Sequence, residues 1–144
     1  MIKRSAVFVL GALLSVGGPH GVRAADLDEL SKYLAFIEGF QYLFEFCQAE
    51  AKLPSDQISF AAQHIRERRA LIFAGLDEAQ RDRISADAQP KKKQVLAGVM
   101  DYMKKNGHDK PLKEQCKEGF FAGIVESEKK GEVKEVAAIQ KAKN

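Results

Sequence analysis

Apolar residues recur every three or four positions along most of the chain, the spacing of one face of an α-helix. The clearest predicted helix begins near Asp26. It ends at Ala51, because Pro54 disfavours helical backbone in the residue just ahead of it. Its main stripe consists of Leu27, Leu30, Leu34, Ile37, Phe40, Phe44 and Cys47. A second set widens this stripe around the helix: Tyr33, Phe36, Leu43 and Phe46. This helix is therefore predicted to be central, with neighbours on several sides.

Two further helices are predicted downstream, separated by a polar segment. Ser55 or Asp56 can cap the first of them, and Gly75 ends it; its predicted inward face is Ile58, Ala61, Ala62, Ile65, Arg69 and Ile72. The polar segment, DEAQRDRISADA, is predicted as a surface helix at most. Pro90 then fits the first turn of an amphipathic helix that ends at Asn106 and Gly107. Its predicted inward residues are Val95, Leu96, Val99, Met100 and Met103.

A last long helix is predicted to start at Pro111. Its apolar residues come at four-residue steps: Leu112, Cys116, Phe120 and Ile124. Gly131 weakens or kinks the helix at that point, so residues 131–144 either continue the helix or fray. Their faint stripe is Val133, Val136, Ala137 and Gln140. Since alternating, β-branched segments are sparse, the whole pattern predicts an all-α bundle of four to five helices.

The first 24 residues resemble a targeting segment. Lys3 and Arg4 precede an apolar run over residues 5–16, and a Gly-Gly-Pro breaker and compact residues come after it. This order is typical of a secretory signal peptide, here cut between Ala24 and Ala25. The run is shorter than the roughly 20 apolar residues of a membrane span. We expect residues 25–144 to form one periplasmic or secreted domain, with an uncleaved N-terminal anchor as the alternative.

The two cysteines lie on apolar stripes of different predicted helices. An even cysteine count in an exported chain indicates a disulfide. A Cys47–Cys116 bond would join the end of the first helix to the start of the last long one. The chain-entropy model gives such a long loop a stabilisation of about 4 kcal/mol.

The charge of the chain depends on the signal segment. Lys3, Arg4 and Arg23 are three of the 23 basic residues, and no acidic residue precedes Asp26, so the remainder has as many bases as its 20 acids. This balance offers no general basis for nucleic-acid binding. The bases are nevertheless clustered, and the clusters are candidates for binding a partner: Arg66, Arg68, Arg69, Lys91, Lys92 and Lys93. A plain solvated helix face explains them more simply.

Residues with catalytic or metal-binding chemistry are few. The histidines, His64 and His108, show no ligand pair at short spacing, so we expect no metal site, with His64 on a helix surface and His108 in a loop. No serine lies in a G-x-S-x-G context. Glu38 and Glu45 lie in the aromatic first helix, at a solvated edge or paired with arginine, unless burial raises their pKa. We expect no catalytic residue, no enzyme and no cofactor.

Two stretches carry a resemblance to a known family. AFIEGFQYLFEFCQAEAKLP and VMDYMKKNGHDKPLKEQCKEGFFAGI resemble segments of small periplasmic immunity proteins that neutralise type VI secretion amidases. This chain differs in having Tyr33 where the family usually has a cysteine, and in the long segment after Cys116. The resemblance implies a helical, disulfide-bonded protein that occludes the active site of an effector enzyme.

Two other functions stay open besides this one. Small periplasmic acid-stress chaperones are also helical and disulfide-bonded, and a structural accessory role is the third alternative. We expect contact with another protein, with a homodimer left open, and with neither nucleic acid nor a membrane span after signal cleavage. The polar segment between Gly75 and Pro90, beside the basic clusters, is the predicted contact surface. The aromatic residues of the first helix are expected to be core, with a lipid or small-ligand cavity as the alternative.

Overall fold

The computed structural model describes residues 22–144, and every regular element in that range is an α-helix. The helices are α1 (Ala24–Glu50), α2 (Ser55–Phe73), α3 (Glu78–Lys105), α4 (Leu112–Lys117) and α5 (Phe120–Lys143). The predicted all-α bundle of four to five helices is confirmed. The predicted signal peptide falls almost wholly on residues 1–21, outside the described residues.

α1 is the central helix, because α2, α3, α4 and α5 all pack against it. α2 returns antiparallel to α1 after the turn at Pro54. α3 runs parallel to α1, since Lys91 lies beside Asp28 and Val95, further along, lies against Gly39. α5 runs antiparallel to α1 and packs against both α1 and α2.

Two apolar clusters of buried residues are stacked along α1. The first surrounds its N-terminal half: Leu27, Leu30, Leu34, Ala35, Ile72, Leu76, Ile84, Ala88, Ile139 and Ala142. The second surrounds its C-terminal half: Phe40, Leu43, Phe44, Cys47, Leu53, Ala61, Cys116, Phe121 and Val125. Since α1 contributes to both clusters, its predicted central position is confirmed.

Cys47 and Cys116 form the predicted disulfide. It joins the last turn of α1 to α4, with the two Cα atoms 5.1 Å apart and the cysteines separated by 69 positions along the chain. Both cysteines are buried in the second cluster. None of the helices in residues 22–144 has an apolar stretch long enough to cross a membrane.

The turns at Gly75 and Gly107 follow the predicted sequence signals. Gly75 and Gly107 have φ values of 73° and 81°, in the left-handed region that glycine adopts without a steric penalty. Asp77 then caps α3: its carboxylate accepts from the Gln80 backbone N–H at 2.8 Å, while the Gln80 side chain accepts from the Asp77 N–H at 3.0 Å. This reciprocal pair satisfies two N–H groups that the first helical turn leaves free.

The predicted cap of α2 by Ser55 or Asp56 was wrong. Pro54 is the N-cap residue, and Ser55 and Asp56 already lie in the first turn. No side chain caps the helix.

The predicted boundary at Pro90 was wrong. The polar segment after Asp77 and the helix expected from Pro90 form one continuous helix, α3, with Pro90 inside it. A proline within a helix lacks one N–H donor and crowds the carbonyl four residues earlier. Packing outweighs this cost, because Ile84 and Ala88 are fully buried against α1 and anchor the segment ahead of the proline.

The last long helix is divided, which the sequence did not predict. α4 ends at Lys117, and Gly119, with a φ of 90°, separates it from α5. The break changes which side of the next helix faces inward. Phe121 and Val125 are buried in place of the predicted Phe120 and Ile124, which are only partly buried.

The inward face of α2 also differs from the prediction. Its buried residues are Ala61, His64, Arg68 and Ile72, whereas Ala62 is exposed. The prediction that His64 lies on the surface was wrong, as only 2% of it is exposed. The face is rotated because α2 packs against α5 as well as α1, and α5 supplies carboxylates to His64 and Arg68.

The C-terminal residues 131–144 continue α5 as far as Lys143. Ile139 is fully buried in the first cluster, while the predicted inward residue Val133 is 80% exposed. Lys143 donates hydrogen bonds to the carbonyl oxygens of Leu71, at 2.6 Å, and Ala74. This ammonium group therefore satisfies carbonyls that the end of α2 leaves free, and burial lowers its pKa.

Candidate functional site

An open, mainly apolar groove lies along one side of the bundle. α1 forms its floor, and α3 and α5 form its walls. Its volume is about 1200 Å³. The principal apolar residues lining it are Phe36, Phe40, Leu43, Val95, Val99, Tyr102, Met103, Phe120 and Ile124. The aromatic residues of α1 therefore serve two roles: Phe40 is also part of the buried second cluster, whereas Phe36 is 56% exposed.

The groove exists because α3 and α5 do not close over α1. α3 makes its extensive contacts with α1, while α5 packs against α1, α2 and α4. The predicted inward face of α3 is consequently covered by α1 on one side and open to the groove on the other. Val95 and Val99 are partly buried, and Met100 is 37% exposed. The prediction that Met100 is an inward residue was wrong.

Charged and polar groups lie at the two ends of the groove. At the end near the start of α1, Lys91 donates to the Asp28 carboxylate at 2.6 Å and to the Ser31 hydroxyl. The hydrogen bond and charge of Lys91 lower the pKa of Asp28. At the other end, the Gln115 side chain donates to the carbonyl oxygens of His108, at 3.0 Å, and Lys110, which fixes the loop before α4.

The six basic residues proposed as one partner-binding surface are not brought together. Arg66, Lys92 and Lys93 have no ion-pair partner among the described residues. Arg69 donates to Gln41 at 3.0 Å and Lys91 is held at the start of α1. Arg68 is buried, with 3% of it exposed, and so is not available for contact. Arg66, Arg68 and Arg69 lie on α2, whereas Lys91, Lys92 and Lys93 lie on α3, and with Arg68 buried the six side chains do not form one exposed surface.

Arg68 instead belongs to a polar cluster between α2 and α5. Its guanidinium donates to Glu132 at 2.9 Å and to Glu135 at 3.5 Å. One helical turn earlier, the Nε2 atom of His64 lies 3.0 Å from a carboxylate oxygen of Glu128. Burial and then the charge of Glu128 raise the pKa of Glu135, against the opposing effects of His64 and Arg68. We call these five residues the α2–α5 cluster.

Glu38 and Glu45, the acidic residues of the aromatic helix, have ordinary surroundings. Glu38 lies 3.9 Å from Arg69 and accepts a hydrogen bond from Gln89 at 3.1 Å. Glu45 is exposed and accepts from Gln41 at 2.7 Å. The predicted solvated edge and arginine pairing of these carboxylates are confirmed.

Two features of the sequence point to the groove and to the α2–α5 cluster, although the apolar periodicity alone predicts neither. Gly39, Gly98 and Gly123 lie in the interior of three predicted helices, where glycine is unfavourable, and all three line the groove. His64 and Arg68 are spaced at four residues between Ala61 and Ile72, so they belong to a possible inward stripe. Their carboxylate partners lie more than 60 residues further along, which no local spacing reveals.

Comparisons with known proteins identify no relative. No protein-family model, no curated protein and no solved structure matches the chain. What the protein does is therefore inferred from the groove and the α2–α5 cluster themselves.

Proposed function

We propose that this protein is a non-catalytic binding protein that holds an amphipathic helix of a partner protein in the groove between α3 and α5. The observation that carries this proposal is the groove itself: an open channel of about 1200 Å³ whose floor is α1 and whose walls are α3 and α5. An amphipathic helix laid into an apolar groove is a recurring mode of peptide recognition. No enzyme chemistry is needed for this role.

The dimensions of the groove suit a helix better than a small molecule. Its lining extends from Lys32 to Leu43 on α1 and from Lys91 to Met103 on α3. At 1.5 Å per residue this is roughly 17 Å, or about three helical turns. Small-molecule sites usually enclose about 300–1,000 Å³ and bury most of their ligand. This groove is larger and open along one side.

Glycines on the two walls of the groove, Gly98 on α3 and Gly123 on α5, give a partner backbone close access. A Cβ atom at Gly39 would lie only 3.3 Å from a side-chain carbon of Val95. This glycine therefore allows α1 and α3 to pack closely. A Cβ atom at Gly98 or Gly123 would meet nothing within 4 Å. Each helix-interior glycine costs about 1 kcal/mol relative to alanine. Since Gly98 and Gly123 bring no packing benefit within the chain, they support a role in admitting another backbone.

The rim of the groove has the composition of a protein interface. Phe36 is 56% exposed and Tyr102 is 69% exposed, and they lie on α1 and α3 respectively. Aromatic residues are enriched in protein interfaces and frequently dominate their binding energy. These two side chains would be covered by the partner helix.

The partner is proposed to be encountered outside the cytoplasm. The N-terminal sequence pattern and the Cys47–Cys116 bond support an exported, oxidised protein. An effector enzyme is one candidate partner, supported by the resemblance of two stretches to periplasmic immunity proteins. For the acid-stress chaperone alternative, many unfolded proteins would occupy the same groove. The groove is already open in the folded chain, which supports binding without acid-induced loosening.

The groove can be filled without disturbing the bundle. We expect the double variant Gly98→Leu, Gly123→Leu to fold normally and to lose at least about tenfold in partner affinity, because two side chains then occupy the space of the partner helix. The measurement is capture of the partner from an exported-protein extract at neutral pH, followed by titration of that purified partner.

Gly131→Leu is the matched control, because Gly131 lies in α5, outside the groove, and a Cβ atom there also meets nothing within 4 Å. All three substitutions should raise the unfolding temperature, since leucine is a better helix former than glycine. Unchanged affinity in the groove-filled variant would contradict the proposal. Capture of many unfolded proteins only at acidic pH would favour the chaperone alternative.

A further inference from the structure

His64, Glu128 and Glu135 bring three metal-ligand atoms together inside the bundle. The Nε2 atom of His64 lies 3.0 Å from a Glu128 carboxylate oxygen. One ring nitrogen and one oxygen from each carboxylate all lie within 4.8 Å of one another. The two glutamates are seven residues apart on α5, which places them on one face of the helix, two turns apart.

We propose that His64, Glu128 and Glu135 form a binding site for a divalent transition-metal ion, with Zn²⁺ the best fit. One imidazole nitrogen and two carboxylate oxygens match the ligands that zinc takes in proteins, and a water molecule would complete a tetrahedron. Tetrahedral geometry with bonds of about 2.0–2.2 Å places the donors of such a site about 3.3–3.6 Å apart. The His64–Glu128 pair is already near this spacing, and rotation of the Glu135 side chain brings in the third donor.

The charges around the site favour a cation. Three carboxylates, those of Glu128, Glu132 and Glu135, accompany the single guanidinium of Arg68 in the α2–α5 cluster. Arg68 pairs more closely with Glu132, at 2.9 Å, than with Glu135, at 3.5 Å. Arg68 can therefore stay neutralised by Glu132 while Glu135 turns toward a metal ion.

The imidazole of His64 is fixed in position by its burial and by aromatic neighbours. The side chain is wholly buried, and its Nδ1 atom has no hydrogen-bond partner. The rings of Phe40 and Phe60 pack on the imidazole, with centroids 5.3 Å and 5.2 Å away. They hold the Nε2 atom toward the carboxylates, so this ligand is preorganised.

Metal binding by His64, Glu128 and Glu135 is independent of the proposed partner-binding function. Glu128 also lines the groove, so a bound ion would lie at its α5 wall. The site nevertheless stands on side chains that point between α2 and α5, and its test involves no partner protein.

The test is a titration of the purified, oxidised protein, without a polyhistidine tag, with ZnCl₂ at neutral pH by isothermal calorimetry. We expect one ion per chain with a dissociation constant in the micromolar range. Co²⁺ should give the visible absorption of a tetrahedral centre and compete with Zn²⁺. Glu128→Gln and His64→Gln should each weaken binding by at least about tenfold, and His108→Gln, in an exposed loop, should not.

Thermal unfolding shows separately whether a variant is folded and whether Zn²⁺ stabilises it. Zn²⁺ should raise the unfolding temperature of the natural protein and not that of Glu128→Gln, whose side chain is partly exposed and whose substitution keeps the shape of the residue. Absence of saturable Zn²⁺ binding would overturn the proposal. So would binding that survives in the folded Glu128→Gln variant, or that is lost in His108→Gln instead.

Discussion

Replacing both cysteines, Cys47→Ala and Cys116→Ala, is expected to lower the free energy of unfolding by about 4 kcal/mol. The bond closes a loop between residues 69 positions apart, and its removal restores the conformational freedom of that loop in the unfolded chain. The loss is a large part of the roughly 5–15 kcal/mol that stabilises an ordinary domain. Urea unfolding followed by circular dichroism measures it.

Chemical reduction of the natural protein supplies the control for this prediction. Dithiothreitol should destabilise the natural protein by nearly the same amount and leave the double variant unchanged. The bond joins α1 to α4, next to the start of α5. Reduction should therefore also loosen the α5 wall of the groove near Phe120 and weaken partner binding. Equal stability of the oxidised and reduced proteins would show that the bond does not constrain the fold.

Truncation of Phe121 should have an effect of similar size. Phe121 is fully buried, and its ring lies 5.5 Å from that of Phe40 and 5.7 Å from that of Phe44. Phe121→Ala leaves a cavity in the second cluster, and substitutions of this kind cost about 3–5 kcal/mol. The free energy of unfolding should fall accordingly in urea denaturation.

The neighbouring Phe120 provides a matched control, because it is the same residue type at a half-buried position lining the groove. Phe120→Ala should cost only about 1 kcal/mol, in proportion to its smaller burial. The pair also distinguishes the observed helix break at Gly119 from the continuous helix that the sequence pattern predicted. A larger effect at Phe120 than at Phe121 would mean that the inward face of α5 is the predicted one.

The fold was predictable where local signals and burial agree. Residues of α1 repeat an apolar pattern along the whole helix, so its length and central position followed from the sequence. The helix ends at Pro54, Gly75 and Gly107 followed from backbone restrictions that act on single residues. The disulfide followed from cysteine count and the predicted compartment.

The predictions from sequence were wrong where the position of a residue depends on contacts with residues far away in the chain. Pro90 is a strong local stop signal, and only the burial of Ile84 and Ala88 against α1 explains why α3 passes through it. His64 and Arg68 are polar residues on an inward stripe, and only carboxylates from α5 make their burial tolerable. The groove depends on how α3 and α5 are placed around α1, which is a property of the tertiary arrangement.

The basic clusters illustrate why charge alone locates a site poorly. The guanidinium of Arg68 contributes to the interior, Lys91 ties α3 to α1, and Arg69 hydrogen-bonds to α1. These side chains are adjacent in the sequence to exposed Arg66 and Lys93 but serve other parts of the bundle. Helical periodicity separates neighbouring charges by about 100° around the axis, so a run of bases rarely forms one surface.

The central claim, that the groove holds a partner helix, is tested most directly by site-specific photo-crosslinking. A p-benzoylphenylalanine residue replaces Phe36 or Tyr102, the exposed aromatic residues of the groove, or Gly131 outside it, and the cells are irradiated before extraction. We predict the same covalent adduct from positions 36 and 102, with the crosslinks mapping to one amphipathic helix of one protein, and no adduct from position 131. Adducts from position 131 alone, or none from either groove position, would contradict the claim.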